Sequence, residues 1–109
     1  MTAETPVLDT LADITAASAE HNSLAPRELM LARIAALIAV DAPPASYLAN
    51  AGPAADLGIT TEDLQGVMIA VAPVVGTARV VAAAGHILRA LGVAIAVADA
   101  ELPDGDGGQ

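Results

Sequence analysis

The sequence has no cysteine, no phenylalanine, no tryptophan, no lysine and a single tyrosine, Tyr47. Without cysteine the chain alone can form no disulfide, no thiolate metal site and no thiol redox centre. Without lysine its cations are Arg27, Arg33, Arg79 and Arg89, set against 13 acids for a net charge of −9. That balance argues against nucleic acid, whose phosphates call for clustered cations, and equally against an anionic membrane surface. The longest uncharged stretch, Leu64 to Ala78, is broken by Gln65, Gly66, Pro73 and Gly76, and a spanning helix needs about 20 apolar residues. The start, Met1 to Val7, lacks the basic run of a secretory signal. The expectation is a soluble, cytoplasmic protein.

What remains is aliphatic. The chain has 109 residues and is 55% hydrophobic, above the usual range of about 45–50%. About a quarter of it is alanine, the best helix former. A core of Ala, Val, Leu and Ile lets helices approach closely but buries little area per residue. The length sets one small domain, and so much apolar surface on so short a chain points to burial against copies of itself.

Thr5-Pro6 reads as a helix start, Thr as the cap and Pro in the first turn. Val7, Leu8, Leu11 and Ile14 recur at helical spacing, with Asp9, Asp13 and Glu20 outside, and Asn22 offers a stop. Pro26 opens a second helix to about Val40. It is apolar nearly all round and so is expected to be central and buried, with Arg33 needing a carboxylate or carbonyl partner. Asp41 to Pro44 breaks it. A third helix is expected from Ala45 to Leu57, kinked or restarted at Pro53 and closed by Gly58. Thr60 and Asp63 resemble a capping box, opening a fourth helix to about Ala72. Pro73 to Gly76 reads as a turn, and Thr77 as the cap of a fifth helix from Ala78 to about Ala98. No strand pattern survives. The expected fold is all-α, a compact bundle of five to six helices over residues 1–101 assembling as a homo-oligomer, with 102–109 a disordered acidic and glycine-rich tail.

Three ordered segments carry a resemblance. Pro26-Arg27-Glu28-Leu29 opens an alanine-rich helix. Gly58-Ile59-Thr60-Thr61-Glu62-Asp63-Leu64, after the Tyr47-to-Gly58 helix, is similar to a Gly-x-Thr-x-Glu-Glu-Ile turn. Ala72-Pro73-Val74-Val75-Gly76-Thr77 is similar to an Ala-x-Tyr-x-Gly-x-Pro segment. Together, over residues 24–92, they resemble the carboxymuconolactone decarboxylase family, which includes the alkylhydroperoxidase D type proteins. The resemblance implies an all-α fold and a ring-like homo-trimer or homo-hexamer. It also exposes departures. The family's Cys-x-x-Cys positions fall on Pro43 and Ser46, and its His on Asn50. Neither Ser nor Pro replaces a thiolate, which argues against peroxidase activity of the usual kind. Asn cannot titrate in place of the His of the decarboxylase branch. Glu28 resembles the acidic residue at the start of the family's central helix, but lies about one helical turn further from the break.

The candidate catalytic residues are Glu28 and His86. The candidate ligand-binding residues are Ser46, Tyr47 and Asn50, grouped on one stretch of the third helix, and Arg79, which shares a face of the fifth helix with His86 and Arg89. That face suits a small organic acid, or is simply a solvated or subunit-contact face. No metal set and no cofactor is expected, since His21 and His86 stand alone. Two readings remain open: a non-redox oligomeric scaffold or small-ligand binding protein, and a cysteine-free enzyme doing decarboxylation or proton transfer on a small acid. A converging polar cavity favours the enzyme. A filled or purely apolar centre favours the scaffold or binder.

Overall fold

The computed structural model describes the backbone of residues 5–101 and the side chains of residues 5–92. Five α-helices follow one another: α1 Pro6–Glu20, α2 Pro26–Ala39, α3 Pro44–Asp56, α4 Thr61–Val75 and α5 Thr77–Glu101. No strand occurs among the described residues. The expected tail, 102–109, lies outside them.

Proline sets three of the helix starts. Pro6, Pro26 and Pro44 each stand in the first helical turn, where the missing N–H costs nothing and the fixed φ suits the helix. α3 therefore begins one residue earlier than the alanine pattern suggested. Thr60 opens α4 with a complete capping box: its Oγ1 accepts from the Asp63 N–H at 3.0 Å and its own N–H donates to Asp63 Oδ2 at 2.9 Å. Thr5 does not cap α1 in this way; its hydroxyl donates to Asp9 Oδ1 at 3.3 Å. Asn22 is not a left-handed stop either. His21 ends α1, and Asn22 Oδ1 accepts the Leu24 N–H at 2.8 Å to shape the link.

α2 and α3 end alike. At the end of α2, Asp41 takes a left-handed φ of 58°, its N–H donates to the Ile38 carbonyl, and the Ala42 N–H reaches back to Leu37. At the end of α3, Gly58 has φ 76° with the matching bonds to Ala55 and, from Ile59, to Ala54. Both are Schellman closures, which satisfy the last carbonyls. Asp is an unusual occupant of the left-handed position but the least costly after Gly and Asn.

The expected turn at 73–76 is shorter in the fold. α4 runs through Pro73 to Val75, Gly76 closes it at φ 93°, and Thr77 is already the first residue of α5. Pro53 likewise lies inside α3 without ending it.

The core is narrow. α2 contributes Met30, Ile34 and Ile38, spaced one turn apart, and α5 contributes Ala83, Ile87 and Ala90; Ala42 and Tyr47 complete it. α2 is thus buried along a stripe, not all round, since Ala32 and Ala36 face solvent. Full burial of an Ile side chain such as Ile38 is worth about 1.5–3 kcal/mol. α3 packs most extensively on α5, and α2 on α4. The alanines of α5 permit that closeness. Arg27 adds an ion pair from the start of α2 to Asp63 at the start of α4, at 2.7 Å. α1 stands apart: no residue of it is buried. Arg33 of α2 tethers it, donating to the Thr15 carbonyl at 3.2 Å and to Ser18 Oγ at 3.1 Å.

Candidate functional site

α3 crosses the body with a run of small residues facing inward. Where Ala51, Ala54 and Ala55 oppose Ile34 and Leu37 of α2 and Ile87 of α5, the side chains do not meet. A cavity of about 160 Å³ results, closed at one end by the α3–α4 turn through Ile59 and Thr60. Its walls are almost wholly carbon. The polar residues on it are Tyr47, Asn50, Thr60 and Thr61. A more open groove runs between α1 and α2, lined by Ile14, Thr15, Ser18 and Arg33; Leu37 and Asn50 border both spaces.

Asn50 is therefore a shared wall. Its Nδ2 donates to the Ser46 carbonyl at 2.9 Å, one turn back along α3. That bond assigns the amide orientation and leaves Oδ1 as the acceptor.

Tyr47 is 7% exposed, and its hydroxyl is buried without a hydrogen-bond partner. Burial raises its pKa above the ordinary tyrosine value, and the Asp41 carboxylate raises it further. The phenol is accordingly held neutral, as a donor without an acceptor among the described residues. His86 Nδ1 is the second buried polar atom without a partner. It stands 4.0 Å from Asp41 Oδ1, close enough for attraction between charges but too long for a hydrogen bond.

Of the residues singled out from the sequence, Tyr47 and Asn50 line the cavity. Ser46 does not, and enters only through its carbonyl. Arg79 is elsewhere: its guanidinium donates to the Ala39 carbonyl at 2.6 Å, at the negative end of α2. His86 faces Asp41 in the same region. Arg79 and His86 therefore converge on the end of α2. Glu28 is exposed at the start of α2, where its Oε1 accepts the Ala25 N–H at 3.1 Å. Alanine 25 has no side-chain acceptor to return that bond, so this cap is half a capping box. Among the described residues no three His, Asp or Glu gather as metal ligands, and no helix is long and apolar enough to cross a membrane.

The sequence pattern did not mark Ala51, Ala54, Ile59 or Thr60 as site residues. The signal was present in the alanines of α3 that face isoleucines across the core, because small residues at inward positions of an aromatic-poor bundle leave volume unfilled. The chain matches no protein-family description, no curated protein and no solved structure.

Proposed function

We propose that this protein is a non-redox, oligomeric small-ligand binding protein, a divergent relative of the carboxymuconolactone decarboxylase family in which the cavity of α2, α3 and α5 takes a neutral, mostly apolar molecule about the size of one ring. The observation that carries this reading is the cavity itself. An apolar space on the order of 150 Å³ accommodates a benzene-sized guest, and this one holds about 160 Å³ lined almost wholly by carbon, with the exposed Ala55, Thr60, Thr61 and Leu91 on its open side. Asn50 Oδ1 and the Thr60 and Thr61 hydroxyls supply the few polar contacts that orient a ligand in such a site.

The same walls weigh against the alternative, a cysteine-free enzyme acting on a small organic acid. A carboxylate in a carbon-lined cavity needs a cation, and no arginine lines this one. Arg79 is engaged with Ala39 and Arg33 with α1. Asn50, at the position where the resemblance expects a histidine, has no proton to transfer.

The test is a binding panel on the full chain, with toluene, cyclohexanol and phenol as neutral guests and benzoate as the acid. A thermal shift reports occupancy for every guest, and emission from Tyr47, the one tyrosine in a chain without phenylalanine or tryptophan, reports it independently for cyclohexanol, which does not itself emit. The neutral guests are expected to bind and benzoate not. Ala54→Leu, which fills the cavity, is expected to abolish the response while the protein stays folded. Preference for benzoate, or an unchanged response in Ala54→Leu, overturns the reading.

A further inference from the structure

α1 touches the rest of the molecule at very few points. Every residue of it except Asp9 is exposed, Ile14 on the side toward α2 included, at 60%. No other helix packs along it. The link that carries it, His21 to Ala25, is not anchored by burial either, since Leu24 is 46% exposed. The hydrogen bonds of that link are local: Asn22 Oδ1 accepts the Leu24 N–H, and Glu28 Oε1 accepts the Ala25 N–H. With Pro26 behind them, these bonds fix the α2 side of the link and leave the Asn22–Ser23 backbone as the pivot.

One side chain holds α1 in place. Arg33 rises from α2 and, through Nη2, donates to the Thr15 carbonyl at 3.2 Å and to Ser18 Oγ at 3.1 Å. Among the described residues these are the hydrogen bonds that join α1 to the body, and no ion pair joins it. The two acceptors lie three residues apart, on one face of α1. At 15 residues, α1 is also at the length where a helix without packing is marginal in water. What keeps it in place therefore also keeps it helical.

Beneath α1 is a groove. α1 lines it with Ile14, Thr15 and Ser18, and the body lines it with Leu37 and Asn50 beside Arg33. Leu37 and Asn50 also form part of the cavity wall. α1 thus lies over the back of that wall, away from the open side at Thr60, Thr61 and Leu91.

We infer that α1 is a latched lid, a unit that lifts from the groove on its own by turning at Asn22–Ser23, with the Arg33 guanidinium as its latch. Lifting it breaks two hydrogen bonds and uncovers no buried side chain of α1, whereas lifting α2 or α5 parts Met30, Ile34 and Ile38 from Ala83, Ile87 and Ala90. The open state bares Leu37 and Asn50 on the groove side, so the cavity wall is backed by α1 in one state and by solvent in the other. The lid itself does not depend on what the cavity binds.

Amide hydrogen exchange on the full chain, resolved by residue and repeated in low urea, tests this. A local opening exposes little surface, so its exchange is fast and nearly independent of urea, and global unfolding behaves in the opposite way. In the native chain the amides from Thr10 to Glu20 are expected to exchange about a hundredfold faster, relative to unstructured rates, than those from Ala83 to Ala90. Arg33→Met keeps the apolar stem and removes the donors. It is expected to speed exchange in α1 about tenfold, the order of a charge-assisted hydrogen bond, and to leave α3, α4 and α5 unchanged. If the α1 amides share the rate and urea dependence of Ala83 to Ala90, α1 opens only with the whole fold and the inference is overturned. Unchanged α1 exchange in Arg33→Met overturns it too. So does faster exchange in every helix together, because Arg33 then supports the fold as a whole and is no latch.

Discussion

Asp41 Oδ1 lies 4.0 Å from His86 Nδ1, and the same carboxylate acts on the buried hydroxyl of Tyr47. One residue in the link after α2 thus stands beside a histidine of α5 and adds to the raised pKa of Tyr47, the one tyrosine in a chain without phenylalanine or tryptophan. Because Tyr47 is that one tyrosine, its ionisation can be followed alone by absorbance. The native protein is expected to titrate above the ordinary tyrosine range, burial being the larger cause and Asp41 the smaller. Asp41→Asn removes the smaller cause and keeps a residue that tolerates the left-handed backbone, so the midpoint moves down but stays above that of free tyrosine. The sign for stability follows. The unfolded chain loses this proton first, near pH 10, so the contribution of Tyr47 is whole below that pH and falls as pH rises toward the folded value. An unchanged midpoint in Asp41→Asn contradicts the coupling.

Asp63 makes the opposite case at the acid end. Its carboxyl is held below the ordinary aspartate value, first by the Thr60 backbone N–H and next by the Arg27 guanidinium. The stabilisation is present above the unfolded carboxylate value near pH 4 and is lost as pH falls through the lowered folded one. Asp63→Asn keeps much of the shape and removes the charge, so its stability is expected to fall less steeply between pH 5 and 3 than the native curve. Thr60→Ala removes the other half of the cap and costs about 1 kcal/mol near neutral pH, read by urea denaturation. A native acid limb that Asp63→Asn does not flatten sinks the assignment.

The core predicts a sharper contrast. Ile38 is fully buried, whereas Val81 is 66% exposed on the outer face of α5. Ile38→Val is expected to cost about 0.5–1.5 kcal/mol at any protein concentration. Val81→Ala alters a side chain that packs little within the chain, so its cost is expected to stay within about 0.5 kcal/mol. Equal costs at the two sites, read by urea denaturation, contradict this division.

How far the residues announced this arrangement depends on which force decided each part. The all-α architecture, the starts at Pro6 and Pro26, the capping box at Thr60 and the close at Gly58 were legible, because each rests on local backbone chemistry. The extent of α4 was not. Pro73 signals a break by its own sterics, but Val71 and Val75 on the inner face pack into the core and carry the helix past it. The burial of α2 was overread, since an apolar sequence all round does not supply neighbours all round. The cavity depends on how α3 lies across α2 and α5, a non-local relation that spacing along one helix does not contain. Tyr47 and Asn50 were singled out for their chemistry and do line it. Arg79 and His86 were grouped by their shared face, and the fold directs both to the end of α2, which no pattern within α5 reveals.

The prolines provide the last prediction, because they divide by position. Pro26 lies in the first turn of α2, where no N–H is needed and a fixed φ lowers the entropy of the unfolded chain. Pro26→Ala is therefore expected to lower stability by about 0.5 kcal/mol. Pro73 lies inside α4. Its ring crowds the preceding turn, and it has no N–H to offer the Ile69 carbonyl. Its position two residues before the end of the helix limits the penalty, because the last turn is the least constrained. Pro73→Ala should restore that bond and relax the turn, raising stability by about 1 kcal/mol, part of the roughly 3 kcal/mol seen for proline in a helix interior. Thermal unfolding of the two variants at one protein concentration checks both signs together. A gain at Pro26 or a loss at Pro73 means that the helix ends are set by contacts beyond the backbone.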